Sequence, residues 1–204
     1  MKMLWFISVC LLSLLQVEGR EDIPVGHGQI LGMHRPSEGH VPVLTESEYP
    51  TPQEFWDKYV SIGRPVVFRA PGKLFPAHKK WTDEYLTENF GDLEVKLEHK
   101  TEKKKTPVGS VGVGRDTIRN FLETYQTKQS YIVSQLPDAM TKDVLVPPFM
   151  MCGTIYERIL ESNLWLSAGG TKSMLHRDAD HAINCLLNGT KDWILIDHRQ
   201  EDKV

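Results

Sequence analysis

The sequence predicts an α+β to mainly β protein in which helices come first and a run of short strands follows, the order of an α+β fold or a jelly-roll barrel. Three observations predict it. Capped segments with helical periodicity lie in the first part of the chain, short apolar and β-branched runs crowd the later part, and an Asn188-Gly189 turn joins the last two of these runs. The 204 residues suffice for one substantial core, and 24 basic against 27 acidic side chains leave a formal charge of −3. That balance gives no reason to expect a nucleic-acid partner.

Taken in order, residues 1–19 place Lys2 before an apolar run over 4–15, with Val17 and Gly19 at −3 and −1 of a cleavage point. The run stops at Gln16 and Glu18, short of the roughly 20 apolar residues a bilayer span needs, so it reads as a secretory signal peptide. The expected location is the secretory pathway, in the ER lumen or outside the cell, with no membrane span left after cleavage. Cys10 leaves with the signal; Cys152 and Cys185 either pair in the oxidising lumen or serve as two small buried hydrophobes. The sequon Asn188-Gly189-Thr190 offers a glycosylation acceptor at an exposed turn.

Residues 20–49, with Gly26, Gly28, Gly32, Pro36 and Gly39, carry no sustained period and form a lead-in segment; the domain itself is expected over 50–204. Thr51 as N-cap, Pro52 at the first position and Glu54 at the third begin a helix with Phe55, Tyr59 and Trp56 as its apolar face, closed by Gly63 and Arg64. A proline-entered strand over 65–69 follows. A second helix is predicted over 82–90, ended by Gly91, and the alternation over 93–97 predicts a half-buried strand. Residues 100–105 read as a solvated charged loop, and the glycines over 109–114 read as a hairpin, since they lack the Gly-Lys-Ser/Thr ending of a phosphate loop. A helix over 116–125, a strand over 131–133, an irregular stretch over 137–148, a short helix within 155–160 and strands over 163–169, 182–187 and 193–196 complete the chain.

The chemistry centres on Ser173-Met174-Leu175-His176-Arg177-Asp178. A His and an Asp two residues apart at a strand end face the same way and can bind one metal, supplying two of the three ligands of a 2-His-1-carboxylate triad. The alternative for such a pair is a surface histidine beside a solvated acid. Fifteen positions after His176 (191 − 176) stands Lys191, just past the turn at the head of an apolar strand. An ammonium turned into a barrel needs an anion to offset its desolvation, whereas one turned outward is an ordinary turn lysine.

With these residues in place, the chain resembles the JmjC-domain, cupin-like oxygenases, in particular the branch of the hypoxia-inducible-factor asparaginyl hydroxylase. The likeness runs from about residue 50 to the last residue through Phe55, Gly63-Arg64-Pro65-Val66-Val67, Trp81 with Tyr85-Leu86, Asn89-Phe90-Gly91-Asp92, Asn163-Leu164-Trp165-Leu166, His176-Arg177-Asp178 and Asn188-Gly189-Thr190-Lys191. It implies a double-stranded β-helix with helices packed on it, and Fe(II) and 2-oxoglutarate as cofactor and co-substrate. It also implies that His176 and Asp178 bind iron and that Lys191 and Ser173 hold the co-substrate carboxylate. Tyr131 matches a co-substrate-contacting tyrosine and equally fits a core position. Ala182 stands where relatives carry an asparagine, with Asn184 two positions on.

The resemblance also implies a second histidine ligand from a later strand. After Asp178 only His181 and His198 follow, and neither matches it, so the barrel and the metal site are expected to be incomplete within these residues. The function implied is hydroxylation of a protein side chain, with chromatin an improbable target for a secretory protein. The rival is a cupin shell that binds or scaffolds without catalysis.

Overall fold

The structure is a computed structural model that describes residues 39–101, 112–151, 153–197 and 199. The signal peptide, most of the lead-in, Cys152 and His198 lie outside the described residues.

Two sheets organise the described chain. In the smaller, β1 (Val43–Leu44) pairs in parallel with β2 (Val67–Phe68), so the lead-in contains a strand. In the larger, β3 (Glu94–His99), β4 (Gly114–Thr117), β5 (Ser130–Gln135) and β6 (Asn163–Leu166) run antiparallel in the order β4-β3-β5-β6. The alternation of β3 does what the pattern predicts: Val95 and Leu97 are buried in the main core, while Lys96 and Glu98 turn to the other face. The pairs Leu97–Ile132 and Ile132–Leu166 keep one face apolar across three strands.

Helices cover that apolar face. Thr82 caps α3 (Asp83–Phe90) by accepting from the Tyr85 amide at 3.2 Å, and Leu86 and Phe90, one turn apart, face the core. Gly91 ends the helix in a right-handed conformation, so its need for glycine is one of space: a Cβ would collide with the Thr87 carbonyl oxygen and come within 2.8 Å of the Arg119 guanidinium. α4 (Ile118–Thr124) starts later than predicted, because Asp116 belongs to β4 and Thr117 is the cap, accepting from the Asn120 amide.

A second core gathers the first helix. α1 (Pro52–Phe55) has the predicted capping box, with Thr51 accepting from the Glu54 amide at 3.3 Å and the Thr51 amide donating to the Glu54 carboxylate at 3.0 Å. It continues as a π-helical stretch, Trp56–Val60. Phe55 meets Phe149 edge-on at 5.2 Å, and Phe149 stacks on Phe68 at 4.0 Å, which joins the helix, β2 and the chain after Pro147.

Asp143 braces the helices that flank the main core. Its side chain has no exposed surface, and it accepts from Lys80 Nζ at 2.9 Å, Trp81 Nε1 at 3.1 Å and Tyr85 Oη at 3.0 Å. Lys80 ends α2 (Pro76–Lys80), so one carboxylate joins α2, α3 and the proline-bounded stretch, which winds into a 3-10 helix at Asp138–Asp143. Burial works to raise the Asp143 pKa, and the three bonds outweigh it and hold the carboxyl below its ordinary value.

Three expectations are corrected. Lys100 is buried and its carbonyl accepts from the Lys172 amide at 2.9 Å, so the charged loop does not begin in solvent. The runs 182–187 and 193–196 form no ladder among the described residues, where the larger sheet stays open, in keeping with the expected incomplete barrel. The local β-branched signal was genuine, but a strand needs a partner, and here the first run docks on the helices instead. Ala182 is buried, Ile183 packs against the aromatic cluster, and His78 Nδ1 donates to the Leu187 carbonyl at 3.0 Å. The final expectation, a helix over 155–160, moves forward to α5 (Thr154–Glu157).

Asp143→Ala leaves three donors facing a buried void and is expected to destabilise the fold by about 3 kcal/mol, as read from urea unfolding. Because the folded pKa of Asp143 is lowered, its contribution is complete above the unfolded carboxylate value of about 4 and is lost as pH falls through the folded one. The difference in stability between wild type and variant should therefore shrink below about pH 4.

Candidate functional site

The strand register decides which side chains share a face. On β5, Tyr131 lies opposite Glu98 and Val133 opposite Trp165. Residues two apart point the same way, so Glu98, Tyr131, Val133 and Trp165 all stand on the face turned away from the main core. Glu98 is buried there, with Lys96 Nζ 3.2 Å from its Oε1. Gly112 lies over this pair, where a Cβ would come within 3.1 Å of Lys96 Cε and 3.2 Å of the Leu97 carbonyl.

Lys191 joins the same face. Its ammonium sits 4.4 Å from the Trp165 ring centroid and 4.7 Å from that of Trp193. Both separations fall within the range of an energetically meaningful cation–π contact. No carboxylate lies within ion-pair distance of Lys191 among the described residues, and burial pushes its pKa down to about 8. The indole faces favour the charged form and work against that shift. Lys191 is thus not the outward-facing turn lysine, and among the described residues it is not ion-paired.

His176 and Asp178 sit in the irregular chain after β6, each about a third exposed (36% and 37%). His176 Nδ1 lies 2.6 Å from the Met174 carbonyl oxygen, which can only accept, so in the neutral ring the proton is on Nδ1 and the Nε2 lone pair is free to bind. Nε2 stands 3.6 Å from Asp178 Oδ2. A single ion at ordinary ligand distances of about 2.1 Å can reach both atoms, and a backbone carbonyl fixing the far ring nitrogen is the usual support of a metal-binding histidine. The donor set, one imidazole and one carboxylate, fits iron(II).

The structure thus brings His176 and Asp178 together, and Lys191 with the strand face that carries Tyr131. Tyr131 is half-buried on that face and outside the main core; Ser173 is exposed, three residues before His176. Asn188 is exposed and Gly189 adopts φ +87, the left-handed turn conformation expected of the sequon. His181 is half-buried, and burial lowers its pKa in spite of Asp180. Among the described residues no third His, Cys, Asp or Glu joins the pair. Burial pushes the Cys185 thiol up to about 11, which suits a packed hydrophobe rather than a reactive thiolate.

Sequence reasoning missed the indole pair around Lys191. The signal existed: Trp193 is two residues after Lys191, and Trp165 falls on the outward positions of β6. It missed Asp143, for which no local pattern speaks.

The chain belongs to the cupin-like domain family, which it matches over residues 52–204. Relatives bear out the JmjC resemblance. The chain is 25% identical over 195 residues to the JmjC domain-containing protein 4 of Schizosaccharomyces pombe, covering 80% of this chain and 41% of that protein. It is 24% identical over 178 residues to the JmjC domain-containing protein E of Dictyostelium discoideum, covering 73% and 50%. It is also 24% identical over 157 residues to the lysine-specific demethylase 8 of Xenopus tropicalis, covering 70% and 33%. The chain therefore spans between a third and a half of the length of these relatives.

Competitive acylation of the lysines across a pH series, read by peptide mass spectrometry, should show Lys191 titrating below the ordinary lysine value of about 10.4. A midpoint at or above that value would contradict its burial.

Proposed function

We propose that this chain carries the site of an iron(II)- and 2-oxoglutarate-dependent oxygenase that hydroxylates a protein side chain in the secretory pathway. The observation that carries the reading is the paired presentation of His176 Nε2 and Asp178 Oδ2, 3.6 Å apart, with Nδ1 committed to the Met174 carbonyl. Bound there, iron(II) would supply the oxidative chemistry, activating oxygen at the expense of 2-oxoglutarate.

The chain's own residues have simpler tasks. His176 and Asp178 present a neutral nitrogen and an anionic oxygen, a donor pair that offsets part of the charge of a divalent ion. Lys191 supplies a cation to the far carboxylate of 2-oxoglutarate, and because water is partly excluded around it, that ion pair is stronger than one formed in solvent. Ser173 and Tyr131 offer hydroxyls to the same carboxylate. The secretory location rests on Lys2, the apolar run over 4–15 and the exposed sequon at Asn188.

A second reading, a cupin shell that binds without catalysis, is favoured by one observation: among the described residues the metal pair has no third ligand. The two separate in the full-length protein. There, His176→Ala or Asp178→Ala should abolish succinate formation from 2-oxoglutarate, and Lys191→Ala should chiefly raise the co-substrate concentration required. Succinate formation unchanged in either ligand variant would sink the iron assignment. If wild-type protein yields no succinate, yet 2-oxoglutarate with Mn(II) raises its melting temperature, the binding reading holds.

For the location, peptide-N-glycosidase should increase the mobility of the protein made in animal cells, and Asn188→Gln should remove that response.

A further inference from the structure

Lys191 poses a physical problem that the co-substrate solves only after it has bound. Before then a half-buried ammonium stands with no carboxylate in reach among the described residues, and a bare buried charge is costly. Two indole faces, at 4.4 and 4.7 Å, are what compensate it. They come from different parts of the chain: Trp165 from the rigid centre of β6, locked to Val133 by the ladder, and Trp193 from two residues beyond the lysine itself.

We infer that Trp165 and Trp193 are positioning residues that form an indole clamp on Lys191, keeping it charged and fixed in place so that it meets the carboxylate of an arriving oxo-acid already oriented. This rests on the reading of Lys191 as the co-substrate's cation. A lysine side chain loses up to about 2 kcal/mol of rotamer freedom when it is immobilised. A clamp formed in the empty protein bears that cost in advance, so the affinity of the ligand is not reduced by it. The ring faces attract the ammonium without offering it a lone-pair acceptor, so an N–H donor remains available to the carboxylate. The walls are also apolar, which strengthens the ion pair formed between them.

The clamp has its own readout, separate from catalysis. In the full-length protein labelled with 13C-lysine, ring currents from two indoles should displace the ε-methylene proton signals of Lys191 upfield of the other lysines, the assignment coming from their loss in Lys191→Arg. Trp193→Leu and Trp165→Leu should each return the signals toward the common lysine position, and Trp193→Phe only part of the way. A Lys191 signal lying among the surface lysines in the wild-type protein overturns the clamp, whatever the variants do.

The second arm adds 2-oxoglutarate with Zn(II) as a diamagnetic stand-in ion. Its binding should shift the Lys191 signal and should weaken about tenfold in Trp193→Leu, as expected from losing one desolvated cation–π contact. In a Lys191→Ala background Trp193→Leu should weaken binding no further, whereas a merely structural tryptophan would show its effect in both backgrounds. If binding is as tight in Trp193→Leu as in wild type, the positioning role is overturned. An upfield Lys191 signal that ignores millimolar 2-oxoglutarate overturns the co-substrate reading and leaves the clamp standing.

Discussion

The described fold hangs on the burial of the Asp143 carboxylate. It is drawn wholly out of water, and such a burial is tolerable only because Lys80, Trp81 and Tyr85 each donate to it. Those donors come from the end of α2, the residue after it and the first turns of α3, so the bonds set the α2–α3 corner against the irregular chain that follows β5. That chain carries Phe149 into the aromatic cluster and then leads to β6. The place of Trp165 on the outer face of the sheet is set by the β5–β6 ladder, where it lies opposite Val133.

The candidate site divides into halves with different supports. Lys191 and Tyr131 stand on or against a sheet, where ladder hydrogen bonds hold the backbone and the register assigns each side chain to a face. His176 and Asp178 lie on irregular chain, and there a single local bond, from His176 Nδ1 to the Met174 carbonyl, orients the ring. A histidine so held has one free nitrogen and one direction in which to use it. The halves are complementary in charge: the metal pair contributes a carboxylate, the sheet face an ammonium.

Glu98 and Lys96 show how the same face handles charge away from the lysine. Both leave the core side of β3 through alternation, and Gly112 approaches both closely. An ion pair under a glycine is possible because no side chain intrudes. It leaves Lys191, caged by carbon rather than by carboxylate, as the cation on this face whose charge is not met by an acid among the described residues.

Local information was sufficient wherever a residue's neighbours in sequence are also its partners. The Thr51 capping box, the Thr82 cap, the alternation of β3 and the turn at Gly189 are set within a few residues, and each stands as the sequence alone determines it. The His-x-Asp pair and the fifteen-residue step to Lys191 were legible for the same reason, as was membership of the cupin-like family. Pairing and burial are different, because they depend on residues far away in the chain. Residues 182–187 have the composition of a strand and dock on α2 and the aromatic cluster instead, since composition states a preference and only a neighbouring backbone can satisfy it. Asp143 reads as a surface acid until Lys80, Trp81 and Tyr85 arrive from some sixty residues earlier. The surroundings of Lys191 were likewise decided by tertiary structure: the sequence determined that an ammonium stands at this place, and the packing of β6 determined that it faces two indoles.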